Sequence, residues 1–284
     1  MTCNTSTPYS RDLGDELRRI REKQTKYNGV AMGDFLGWDQ SKVSNVENGK
    51  ARASEIDIVQ YLTVCGQDRE FVEGFLSRYR NAFDTYFVQV PQNLRTMALA
   101  EASASKITSY TMVSIPGLLQ TEDYARALCG QSGNVADEDV EAFVRFRMER
   151  QAILRRHDRP ECTFFVHEFA LRMKVGSDEV MEEQYRRLLF RTHILRIVPE
   201  SSGLVGALPA TYILWQYEKL APVAFTESAL AKVFVQDPGA ITHCKDTFEQ
   251  LDGVALSEGQ SRKLLTDLVS RPREDRNAPG LRLA

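Results

Sequence analysis

The sequence predicts a mainly helical N-terminal domain of five short helices, followed by a larger α+β domain with a small mixed sheet. Three observations carry this. Apolar residues recur at helical spacing through residue 81, with caps and glycines between the runs. After Pro160 the period shortens and β-branched and aromatic runs appear. At 284 residues and 43% apolar content, the chain is long enough for two cores.

The elements follow in chain order. Residues 1–10 read as a disordered leader. From Arg11 a helix begins, with Leu13, Leu17 and Ile20 on one face. Asn28 suits the N-cap of a second helix with Val30, Met32, Phe35 and Leu36 as its apolar side. Gly37 stands at its C-cap, where a left-handed residue favours glycine. Asp39 is placed to cap a third helix, Gln40 to Glu47, with Val43 and Val46 pointing inward and Asn48-Gly49 ending it. A fourth helix opens at Ser54 with Ile56, Ile58, Val59 and Leu62 inside, and a fifth spans Asp68 to Asn81. The expected boundaries are 11–81 for this domain, 82–93 for a linker marked by Val90-Pro91, 94–270 for the second domain and 271–284 for a flexible tail.

The second domain opens with helices expected near 94–106, 122–129 and 137–157. Strands are expected at Cys162–His167, Ile194–Val198, Tyr212–Gln216, Val223–Thr226 and Lys232–Val235. A helix over Ser177–Arg191 lies between the first two. Two more close the domain, Pro238–Leu251 and Glu258–Val269, the last started by a Ser257/Gln260 capping box.

Bulk composition narrows the function. No apolar run reaches the ~18 to 20 residues that span a bilayer, and Met1–Ser10 lacks an apolar signal segment, so a cytoplasmic protein is expected, without membrane contact. Cys3, Cys65, Cys129, Cys162 and Cys244 are scattered, which fits packed thiols better than a disulfide framework or metal knuckle. His167-Glu168 lacks the second histidine of a zinc helix, because Leu171 stands there. Gly203-Leu204-Val205-Gly206 lacks the lysine of a phosphate loop. No catalytic residue, metal site or cofactor is expected.

Residues 11–65 carry a different chemistry. Two short helices joined at Gly37, with Gly33 allowing close approach and Val43 locking the second helix, fit a helix-turn-helix. The second helix presents Gln40, Ser41, Lys42, Ser44 and Asn45. These are short or bidentate polar groups suited to base edges: Gln and Asn for adenine, Lys for guanine. Asn48, Gly49, Lys50 and Arg52 suit phosphate contact. Net charge is −3 over the whole chain, and residues 11–52 hold nine basic against seven acidic side chains. So slight an excess makes pairing of two copies on a near-palindromic double-stranded DNA site the expected remedy.

The stretch Leu36 to Lys50, LGWDQSKVSNVENGK, resembles the XRE family of lambda-repressor-like regulators. The resemblance implies base contacts at Gln40, Ser41, Lys42, Ser44 and Asn45, and phosphate contacts at Asn48 to Lys50. Two residues depart from the family pattern: Gly29 where a phosphate-binding Gln is usual, and Asp39 where Ser or Thr caps. Further on, Ile115 to Leu128 (IPGLLQTEDYARAL), Arg147 to Gln151 and His167 to Leu171 resemble the large C-terminal domain of actinomycete XRE regulators, the antitoxin-like, WhiJ-like group. That resemblance implies a small acidic partner protein encoded nearby, while the homodimer rests on the weak single reading helix. Tyr110, Gln120, Tyr124, Arg147, Arg150 and Gln151 are the candidate site for such a partner or for a small-molecule ligand. The alternative reading of the same stretch is structural: a Pro-Gly turn, two packed leucines and a helix capped by Thr121.

Overall fold

The structure is a computed structural model that describes residues 6–84, 86–89, 95–133, 136–228 and 231–270. The outer part of the expected leader, the rest of the expected linker and the expected tail lie outside these residues.

Five helices form the N-terminal domain: α1 (Pro8–Gln24), α2 (Gly29–Leu36), α3 (Gln40–Glu47), α4 (Glu55–Val64) and α5 (Arg69–Tyr79). The first begins three residues earlier than the apolar period indicates. Thr7 caps it by accepting from the Ser10 amide, Ser10 returns the bond to Thr7, and Pro8 takes the first turn, where its missing N–H costs nothing. The Thr7 hydroxyl also donates to the Ala82 carbonyl, and Tyr9 and Ser10 are buried. Residues 8–10 are therefore helix and core rather than leader.

Leu13, Leu17, Met32, Val46, Ile58, Tyr61, Leu62 and Phe75 fill the centre. The expected apolar sides of α2 and α4 need correction. In α2, Met32 and Gly33 are buried and Leu36 is partly so, whereas Val30 and Phe35 are exposed. In α4, Ile58, Tyr61 and Leu62 point inward at helical spacing, and Ile56 and Val59 are exposed. Helices of eight and ten residues present a narrow buried stripe, and α2 turns toward α3 the side on which Gly33 lets the chain approach.

The second domain is built on a seven-stranded mixed sheet in the order β1-β7-β6-β5-β2-β3-β4. The strands are β1 (Tyr86–Gln89), β2 (Lys106–Thr111), β3 (Glu161–His167), β4 (Leu195–Val198), β5 (Thr211–Gln216), β6 (Val223–Glu227) and β7 (Lys232–Val235). The helices are α6 (Arg95–Ala102), α7 (Glu122–Ser132), α8 (Val140–Arg150), α9 (Glu168–Arg172), α10 (Asp178–Leu189), α11 (Pro238–Val254) and α12 (Glu258–Ser270). The β2, β3 and β4 strands are parallel, as helical crossovers require, and β5, β6 and β7 form an antiparallel meander.

Two strands were not expected. The segment read as a linker contains β1, which pairs antiparallel with β7, Tyr86 opposite Val235. The helix expected to reach residue 106 ends at Ala102 and gives way to β2, the strand between β3 and β5. Trp215, Phe225 and Phe234 cluster on one face of the sheet, their ring centroids 4.9 to 6.0 Å apart. On the other face Tyr110, Phe165 and Leu214 pack against Ile241, Phe248 and Leu251 of α11.

Candidate DNA-recognition surface

The turn that sets α3 against α2 is built from two glycines. Gly37 is left-handed at φ 67°, and the Trp38 amide donates to the Gly33 carbonyl at 2.8 Å. A β-carbon on Gly33 would lie 2.9 Å from the Trp38 carbonyl oxygen, so the crossing requires glycine. Asn28 caps α2 by accepting from the Ala31 amide. Asp39 occupies the N-cap position of α3 in an extended conformation, but its side chain makes no capping bond.

Val43 and Val46 anchor α3 in the core. Gln40, Ser41, Ser44 and Asn45 are exposed together on its outer side. Lys42 departs from the predicted set. Its Nζ lies 2.8 Å from Asp57 Oδ1 and 4.3 Å from the centroid of the Trp38 ring, so α4 and the turn hold it half-buried. The phosphate set divides in the same way. Lys50 and Arg52 are exposed, though Arg52 also donates to the Arg80 carbonyl at 2.8 Å. The Asn48 side chain is engaged, accepting from Arg18 at 2.7 Å and donating to the Ser44 carbonyl. Gly49 is buried against α1: its amide donates to Val46 and its carbonyl accepts from Ser10 Oγ at 2.8 Å. Gly49 is left-handed at φ 61°, and its amide is already satisfied within the domain.

One residue of α3 was overlooked. Glu47 is buried, and its carboxylate accepts from Arg21 at 2.7 and 2.9 Å and from the Tyr61 hydroxyl at 2.7 Å. Burial alone would raise its pKa. The bonds from Arg21 and Tyr61 and the charges of Arg21 and Arg18 outweigh that and hold the carboxyl below its ordinary range. Tyr61 is pushed up, first by burial and then by this carboxylate. The sequence carried one signal: a carboxylate at the C-terminal end of a helix opposes the helix dipole and needs a cation to keep it there.

In the second domain the structure gathers four of the six predicted residues. Gln120, Tyr124, Arg147 and Gln151 surround the turn at Gly117–Leu119. Gln120 Nε2 donates to the Ile115 carbonyl, and its Oε1 accepts from Arg147 at 2.6 Å. Tyr124 accepts from the Ile115 amide. Gln151 donates to the Gly117 and Gln120 carbonyls at 2.8 and 2.9 Å and accepts from Arg187. Gln184, not singled out from the sequence, clasps the same loop from α10 through the Leu119 carbonyl and the Thr121 amide. Arg150 turns instead to Glu101 of α6, in a buried pair at 2.6 Å. Tyr110 faces away, in the core under α11, with its hydroxyl donating to the Gly206 carbonyl. These bonds make the loop a scaffold. Gln151→Leu, which strands the buried Gln120 carbonyl and the part-buried Gly117 carbonyl, is expected to cost about 1–3 kcal/mol of stability, measured by urea denaturation; an unchanged midpoint would contradict the scaffold.

A family described as a helix-turn-helix domain matches residues 12–73. A second, described as a domain of unknown function (DUF5753), matches residues 94–267, more than half of the chain. The chain belongs to the DUF5753 family. No curated protein and no solved structure shows significant similarity to it. With its N-terminal helix-turn-helix, this DUF5753 protein is a DNA-binding regulator. Among the described residues of the DUF5753 chain, no helix is long and apolar enough to cross a membrane.

Proposed function

We propose that the protein is a sequence-specific transcriptional regulator that acts in the cytoplasm, binds a near-palindromic operator as a homodimer and is controlled through its second domain. The observation that carries this is the outer side of α3: Gln40, Ser41, Ser44 and Asn45 stand exposed on a helix fixed from behind by Val43, Val46 and the Arg21–Glu47–Tyr61 cluster. A rigid helix with short polar groups outward is what major-groove reading needs. Lys50 and Arg52 flank it and supply phosphate contact. Lys42, held by Asp57, is left out of the reading set. A single eight-residue reading helix buries little surface on DNA, and two copies on a two-fold site repair that deficit.

A mobility-shift assay with the protein's own upstream region tests the reading. A complex competed by the same DNA and not by shuffled DNA is expected, with two protein chains per site by light scattering. Equal competition by both DNAs would reject sequence-specific binding, and one chain per site would reject the dimer.

A further inference from the structure

The first helix touches two partners at once. Toward α3, Gly14 brings the backbones together so closely that a β-carbon there would lie 2.7 Å from the Val46 carbonyl oxygen and the Gly49 amide nitrogen. Arg21 bonds Glu47, and Arg18 bonds Asn48. α1 and α3 therefore move as one body.

On another side, α1 meets α6, the first helix of the second domain. Thr96 Oγ1 donates to Asp12 Oδ2 at 2.7 Å, and both residues are buried. Arg95 Nε lies 2.8 Å from Asp12 Oδ1, and its guanidinium also pairs with Asp15. At the start of the same helix, the Arg11 guanidinium lies 5.7 Å from the centroid of Tyr217, just past β5. A buried carboxylate pinned by a hydroxyl and a guanidinium tolerates little sliding, because any shift leaves a charge away from water without its partners. Close-packed elements pass a displacement on rather than absorb it.

We propose that α1 is a strut that fixes the orientation of the recognition helix relative to the second domain, with Asp12 and Thr96 as its anchor. The consequence at DNA rests on the function proposed above; the strut itself does not. Any event in the second domain that shifts α6 then re-aims α3 without touching a DNA-facing residue. Asp12 and Thr96 are positioning residues, since they act through α1.

Spin labels on the exposed residues Gln60 of α4 and Lys245 of α11 report the relation of the two domains in the full chain. The unaltered anchor is expected to give one narrow distance distribution. Thr96→Val keeps the side-chain shape and removes the bond. It is expected to broaden the distribution and to weaken operator binding about tenfold. Thr96→Ser, which restores the hydroxyl, is expected to return both toward the original values. Asp12→Asn should broaden the distribution further; if that variant does not fold, the valine and serine pair decides. A distribution as narrow in Thr96→Val as in the parent overturns the strut. Failure of the parent protein to bind its operator would instead overturn the proposed function, and the distance measurement would still judge the strut.

Discussion

Glu47→Ala is expected to lower the stability of the protein by about 3–5 kcal/mol. The substitution removes a carboxylate that shares four contacts with Arg18, Arg21 and Tyr61. It leaves the Arg21 guanidinium, whose side chain is only 8% exposed, with the part-buried Tyr27 carbonyl and the exposed Glu22 carboxylate at 3.6 Å in place of two short bonds to a buried carboxylate. Urea denaturation measures the loss, and a value under about 1 kcal/mol, the range of a surface pair, would contradict the arrangement. The same carboxylate gives a pH dependence of known sign. Its folded pKa lies below the ordinary value, so the unfolded chain takes up the proton first as pH falls. Its stabilisation is complete above the unfolded value of about pH 4.3 and is lost as pH drops through the lower folded value. Thermal melts from pH 6 to pH 3 should fall steeply for the parent and more gently for Glu47→Gln. Equal slopes would show that Glu47 is not the group responsible.

The second large effect is on DNA. Replacing Gln40, Ser44 and Asn45 together by alanine is expected to cost about 2–6 kcal/mol of operator affinity, from two bidentate base contacts at about 1–3 kcal/mol each. Affinity for unrelated DNA should hardly change, because none of the three residues carries charge. Thermal stability should stay within about 0.5 kcal/mol of the parent, since all three side chains are exposed. Lys50→Ala should behave in the opposite way, weakening binding to every sequence and reducing the salt slope by about 1. Titrations of operator and shuffled DNA at several salt concentrations separate the two patterns. Undiminished operator preference in the triple variant would remove α3 from the role of reader.

Much of the N-terminal domain could be read from residue pattern alone, because its helices are local structures with local signals. Gly37 and Asn28 sit where their conformational preference places them, as the Ser257/Gln260 box does at the last helix of the second domain. The failures are of another kind. β2 has the sequence KITSYT, with Ile107 through Thr111 all buried. A strand enclosed on both faces need not alternate, and its hydroxyl-bearing residues disguised it as a polar stretch. β1 is four residues long and is defined by β7, almost 150 positions away. The side chain of Lys42 was read by residue type, whereas its direction is set by Asp57 on a different helix. Glu47 went unremarked because its partners come from α1 and α4. Among the six residues singled out in the second domain, Gln120, Tyr124, Arg147 and Gln151 lie around one turn and are bonded into it. Tyr110 was misplaced because the strand that carries it had not been recognised.

β1 also bears on how such a chain can be taken apart or recombined. The segment between the two domains is not a tether that can be cut or exchanged freely, since Tyr86–Gln89 is part of the sheet and extends it beyond β7. A fragment starting at residue 94 lacks that strand and leaves the edge of β7 open, an invitation to adventitious strand pairing. Grafting a foreign DNA-binding module onto this carrier therefore calls for a junction before Tyr86.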